Sequence, residues 1–190
     1  MEKLNKAIIV ISKIAEVVVL VGMVVLIGMF LFTIFGADFI TETLKADAMQ
    51  MRVTINGATY EVLDEVGNVH LSAFRFALAA AFSACILVFM VVRNINLIFR
   101  TTEGKTWFSK GDTPFQPDNI RMVREIGIFI ILMPVLEAVI ALLATVFTPY
   151  PVLADFEIDI TLFFIGLVVL ALSQYFAYGM ELQNEVDGLV

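Results

Sequence analysis

The chain has 190 residues, of which 60% are hydrophobic and 16% charged, and its mean hydropathy is +0.93. A soluble domain is usually about half apolar, so the excess is too large for a core of this size, and lipid is the expected solvent for much of it. The net charge of -7 argues against nucleic acid as a direct ligand, because phosphate binding wants a basic surface. The single cysteine, Cys85, excludes an intrachain disulfide, and the single histidine, His70, excludes a His-rich metal site.

Crossing about 30 Å of hydrocarbon takes a helix of about 20 residues. Four stretches qualify: Val17 to Ala37, Phe76 to Val92, Ile126 to Phe147 and Ile160 to Met180. Each is expected to be helical, because lipid offers backbone polar groups no other partner. The first has Lys3 and Lys6 ahead of it and Ala46-Asp47-Ala48 behind it, a layout resembling a signal peptide. Its apolar run is too long for one, so it is read as a retained helix. Lys13 and Glu16 sit at its start, where snorkelling explains them. The second span is short, and its flanking Arg75 and Arg93 are expected to snorkel outward.

Orientation follows from Lys and Arg. The N-terminal segment holds Lys3, Lys6 and Lys13, and the segment between spans two and three holds Arg93, Arg100, Lys105, Lys110, Arg121 and Arg124. Nine of twelve basic residues thus lie on one side, which is read as the cytoplasm. The loop from Thr148 to Asp159 has no basic residue and three acids, Asp155, Glu157 and Asp159.

The outer loop, 38–71, contains two β-prone runs around Asn56-Gly57, the preferred pair for a type I′ turn. Alternation puts Val53 and Ile55 on one face and Arg52 and Thr54 on the other. The prediction is a small hairpin that leans on helix ends or on a partner, since a lone hairpin is marginal.

In the cytoplasmic loop, 94–125, Trp107 and Phe108 stand near Lys105 and Lys110, a pattern that marks the headgroup zone. Gly111, Asp112, Pro114 and Pro117 make a turn. Pro117 suits the first position of a helix, with Asp118 favourable to its dipole.

Glu137 is the residue that physics singles out. A carboxylate near the middle of span three costs roughly 2.5–3.5 kcal/mol on the insertion scale. Pro134, Ala138, Ala141, Ala144 and Thr145 share its face, and small residues mark close helix approach. Span two has a matching face of Ala77, Ala80, Ala81 and Ala84, with Ser83 adjacent. Span four supplies Gly166, Ser173 and Gln174. By depth, Ser83 is the expected hydrogen-bond partner of Glu137, and Ser173 the next. Glu137 then serves either as a proton-sensitive or ligand-binding group, or as a hydrogen bond that holds the bundle in register. Paired intramembrane acids, HExxH, a phosphate loop and a nucleophile with a histidine are all absent from the sequence, so no enzyme is expected.

The run from Thr113 to Gly127, with Pro114, Phe115, Asn119, Arg124 and Gly127, resembles the loop motif before span three in a bacterial membrane family. The run from Leu170 to Asp187, with Phe176, Gly179, Leu182 and Asn184, resembles its C-terminal hallmark. The family is the one catalogued as domain of unknown function 2975, small four-span proteins, and the likeness covers essentially the whole chain. Departures are Val123 for the usual leucine, Gln174 for the acid of the last span, Ala177 for an arginine, and Val186-Asp187 in the tail. The resemblance implies a membrane partner for a cytoplasmic helix-turn-helix regulator, with both motif segments forming one docking site. The alternative role for these residues is structural, with Pro114 and Phe115 fixing the loop, Asn119 capping the helix and Gly179 permitting close packing.

The expected fold is an all-α integral membrane protein. It is a single membrane domain over 1–190, a four-transmembrane-helix bundle with an extracytoplasmic β-hairpin. The leading expected function is non-enzymatic regulation or sensing. The alternatives are a small transport, efflux or immunity protein with a ligand cavity around Glu137, and a structural subunit of a membrane complex. Expected partners are the lipid bilayer, the cytoplasmic DNA-binding regulator and further copies of the chain; no cofactor or metal is expected.

Overall fold

The computed structural model describes residues 2–46, 51–64, 67–110, 113–148, 152 and 160–188. Gly111-Asp112, Asp47-Ala48 and the acids Asp155, Glu157 and Asp159 lie outside them. Five helices and one hairpin follow in order: α1 (Glu2–Phe35), α2 (Ala37–Ala46), β1 (Met51–Ile55), β2 (Ala58–Leu63), α3 (Leu71–Thr102), α4 (Pro117–Phe147) and α5 (Ile160–Asp187). Helices α1, α3, α4 and α5 are long and apolar enough to cross a membrane, as expected of the four spans. All four extend beyond their apolar spans by a turn or more, α1 and α4 at the front, α5 at the back and α3 at both ends, because helical hydrogen bonding continues past the point where charge begins. Pro117 opens α4 at the position foreseen for it.

Helix α2 was not expected within the outer loop. Gly36 interrupts the continuous apolar run with a bend. The ten residues that follow place Phe39, Ile40 and Leu44 at helical spacing, with Asp38 in the first turn.

The hairpin is as predicted. Asn56 (φ 45°) and Gly57 (φ 95°) both take the left-handed conformation that a type I′ turn requires. The strands pair antiparallel with Val53 opposite Tyr60, Thr54 opposite Thr59 and Ile55 opposite Ala58. Arg52 meets Glu61 at 3.3 Å on the outward face.

Packing divides the chain into two compact units. One comprises Met1–Leu20, Leu87–Leu132 and Thr161–Val190, and the other Val21–Ile86 and Met133–Ile160. In the first, Asn96 of α3, nearly fully buried, donates both amide hydrogens to α1, to the Ile9 carbonyl and to Ser12 Oγ, each at 2.9 Å. In the same unit α4 crosses α5 where Gly127 faces Gly166. A Cβ on Gly166 would lie 2.9 Å from the Gly127 carbonyl oxygen, so both positions need glycine's missing side chain.

In the second unit Arg75 donates to Thr33 of α1, from Nη2 to the carbonyl at 2.7 Å and from Nε to Oγ1 at 3.2 Å. Arg75 therefore does not simply snorkel outward; it occupies the end of α1, whose Thr33 is fully buried. The core of this unit consists of Ala58 and Tyr60 from β2, Ala77 and Ala80 from α3, and Ala141 and Ala144 from α4, with Val152. The small faces of α3 and α4, expected to mark close helix approach, share one buried cluster with Ala58 and Tyr60 of β2.

Candidate functional site

Two places hold the residues that the sequence singled out. The first is Glu137. Its face on α4 repeats at three and four residues, and Pro134, Glu137, Ala141, Ala144 and Thr148 are all buried along it. Glu137 itself is 1% exposed, and its Oε1 accepts a hydrogen bond from the Tyr60 hydroxyl at 3.0 Å. Tyr60 is fully buried. Its donor reaches Glu137 because alternation along β2 turns Ala58, Tyr60 and Val62 to the same side. Burial pushes the Tyr60 phenol well above its usual range, and the charge of Glu137 and the hydrogen bond to it add to the effect.

The expected partners are used otherwise. Ser83 donates to the carbonyl of Ala80 at 2.8 Å and Ser173 to that of Leu170 at 2.7 Å. Both bonds lie within their own helices, the usual resort of a serine hydroxyl in an apolar helix. Gln174 is exposed. Two apolar hollows occur in this unit. One is walled by Phe32, Phe39, Leu44, Val62 and Phe74 among others, and the second by Leu26, Phe30, Leu78 and Phe82 among others. Glu137 lines neither of them.

The second place joins the loop before α4 to the end of α5. Phe115 lies against Phe176, with ring centroids 5.7 Å apart. It also covers Gly179, where a Cβ would stand 2.7 Å from its Cε1. Thr113 Oγ1 donates to Gln183 Oε1 at 2.9 Å. Gly179 is required because any side chain there would displace the ring.

The loop is held from beneath by buried amides. Asn119, fully buried, donates through Nδ2 to the Pro114 carbonyl at 3.0 Å and to Thr102 Oγ1 at 3.3 Å. It therefore ties the loop rather than capping α4. Gln116, 2% exposed, accepts from the Lys110 amide at 2.8 Å and donates to the Thr113 carbonyl at 2.7 Å. Asn94 donates to Glu125 at 3.0 Å, and Arg121 pairs with the same carboxylate at 3.4 Å.

Of the residues named for partner binding, Asn119 and Gly127 are buried. Pro114, Phe176 and Gly179 are half-buried, and Phe115, Arg124, Leu182 and Asn184 face solvent. Sequence reasoning missed Tyr60, Gln116, and the pairing of Thr113 with Gln183. Only the hairpin's alternation held a signal for Tyr60.

Comparison with family models, with curated proteins and with solved structures finds no match to this chain.

Proposed function

We propose that this chain is a multi-pass protein of the bacterial inner membrane with both termini in the cytoplasm. In this reading it belongs to the family catalogued as domain of unknown function 2975. It senses an outer or membrane-borne stimulus and passes it, without catalysis, to a cytoplasmic helix-turn-helix regulator. Four apolar helices and the bias of basic residues support the topology.

One observation carries the regulatory reading. The two segments marked by the resemblance, far apart in sequence, meet through Phe115, Phe176 and Gly179 and through Thr113 and Gln183. That contact leaves Phe115 37% exposed on a supported loop, and Leu182, three residues beyond Gly179 on α5, is exposed as well, an aromatic and an aliphatic anchor. Signalling then requires two conformations with different affinity for the regulator. The hairpin on Glu137 is the element whose seating would differ between them.

The test is a mild-detergent pull-down of the tagged protein from its native membranes, with bound proteins identified by mass spectrometry. A small DNA-binding protein, retained by the wild type and lost with Phe115→Ala while the membrane level is unchanged, supports the reading. Recovery of membrane subunits alone, or of nothing, overturns it.

A further inference from the structure

Trp107 is 95% exposed, the most exposed large hydrophobic residue described. A side chain of this size in water costs more than any other apolar group. A floppy loop tip would excuse it, but this loop is tightly built. Thr101, fully buried at the end of α3, accepts at its carbonyl from the Gly104 amide (3.1 Å) and from Ser109 Oγ (2.7 Å). Its hydroxyl also accepts from Thr106 Oγ1 at 3.1 Å. The Lys105 amide donates to the Arg100 carbonyl at 2.8 Å, and the Ser109 amide closes the turn onto Thr106 at 3.2 Å. Phe108 supports the indole edge-on, with centroids 5.3 Å apart. The turn thus presents Trp107 outward on a fixed base.

The surroundings identify what receives it. The turn directly follows α3, one of the four helices apolar enough to span a membrane. Arg100, Lys105 and Lys110 flank Trp107 and are all exposed, while Glu103 is the one acid between Arg100 and Lys110 and is paired with Lys105. In a chain of net charge -7, this is a local basic rim around an aromatic knob. Indole prefers the headgroup layer, and basic side chains beside it favour anionic lipid there.

We infer that the turn at Thr106–Ser109 is a lipid-binding wedge, with Trp107 seated among the headgroups and Arg100, Lys105 and Lys110 selecting anionic phospholipid. The wedge rests on the membrane-spanning reading of α3. It would fix the depth of the α3–α4 loop, and so the distance at which Phe115 is offered to a partner.

Trp107 is the only tryptophan, so selective tryptophan fluorescence of the full chain reads the site directly. The protein is placed in nanodiscs of phosphatidylcholine, alone or mixed with phosphatidylglycerol, with bromines near the headgroup or near the chain end. The expected result is blue-shifted emission, stronger quenching by the shallow bromines than by the deep ones, and weaker iodide quenching when phosphatidylglycerol is present. Arg100→Gln, Lys105→Gln and Lys110→Gln together should abolish that dependence on anionic lipid. Water-like emission that iodide quenches freely and bromines do not would overturn the inference and leave Trp107 as an anchor for a cytoplasmic protein. Equal behaviour in both disc types would overturn the selection of anionic lipid. Failure of the chain to enter the discs at all would instead overturn the membrane-spanning reading.

Discussion

The Tyr60–Glu137 hydrogen bond should set how firmly the hairpin is held, and Tyr60→Phe isolates it. The substitution keeps the buried ring, so it opens no cavity of consequence, and removes only the hydroxyl that donates at 3.0 Å. What remains is an acid 1% exposed that has lost its donor. Leaving one buried partner unsatisfied costs about 1–3 kcal/mol, whereas the net worth of the bond is only about 1 kcal/mol. Converted at 1.4 kcal/mol per factor of ten, the loss is roughly five- to 150-fold in the population of the detached hairpin.

The assay is hydrogen exchange at the backbone amides of β1 and β2 in detergent micelles, read against amides in the middle of α3 as an internal reference. Tyr60→Phe should accelerate exchange in the hairpin and leave α3 unchanged. Glu137→Gln keeps an acceptor oxygen in place and should have the smaller effect. The double variant Tyr60→Phe with Glu137→Leu removes both polar groups and should recover much of the loss, because replacing both partners is nearly neutral. Hairpin exchange that is unchanged in Tyr60→Phe would refute the argument. So would strictly additive effects in the cycle, since they would mean that the two groups do not interact energetically.

Alkaline pH should weaken the same seat. The Tyr60 proton is held more tightly in the fold than in the unfolded chain, so its contribution is complete below about pH 10 and falls as pH rises above it, by about 1.4 kcal/mol per unit. Thermal unfolding of the wild type should show that slope and Tyr60→Phe a reduced one; equal slopes would contradict it. Gly166→Ala forces a Cβ to within 2.9 Å of a backbone oxygen and should destabilise by about 1–3 kcal/mol, whereas Gly22→Ala meets nothing within 4 Å and should stabilise α1 by about 0.5–1 kcal/mol. Thermal unfolding in detergent ranks the two, and the opposite order would sink the reading of the α4–α5 crossing. Asn96→Leu removes both donors to α1 and should cost about 1–3 kcal/mol. Cysteine crosslinking between α1 and α3 near those positions should then lose efficiency.

The four long helices were legible because hydropathy and length are local properties, and the hairpin because Asn56-Gly57 requires two left-handed residues in a row. Burial of Glu137 was legible from the small residues at three and four positions from it. Its partner was not, because Tyr60 is 77 residues away and belongs to an element of different period. Depth along helices proposed Ser83, but a helical serine finds a carbonyl one turn back more readily than a distant acid. Helix α2 was hidden because Gly36 separates two apolar stretches that merge in a hydropathy profile. Arg75 was misread for a related reason: charge at a span's end predicts an outward reach, but the Thr33 carbonyl offers an acceptor without leaving the protein. The contact of Phe115 with Phe176 and Gly179 needed coordinates, because both segments are motif-rich yet neither encodes the other's position.

A buried acid also decides which hairpin can form. The pairing Val53 with Tyr60 follows from the turn at Asn56-Gly57, and it directs Ala58, Tyr60 and Val62 inward. Shifting β2 by one residue would reverse every side chain. Thr59 and Glu61 would then face the core, and Glu61 would leave its exposed pairing with Arg52 to approach Glu137. Two carboxylates in one apolar site repel and are poorly solvated, so that register is rejected twice, once by lost apolar packing and once by charge. An apolar residue at position 137 would remove the second penalty and leave the first. Glu137 therefore contributes discrimination between registers as well as one hydrogen bond. Glu137→Leu tests this directly, since a slipped hairpin would protect a different alternation of side chains from labelling.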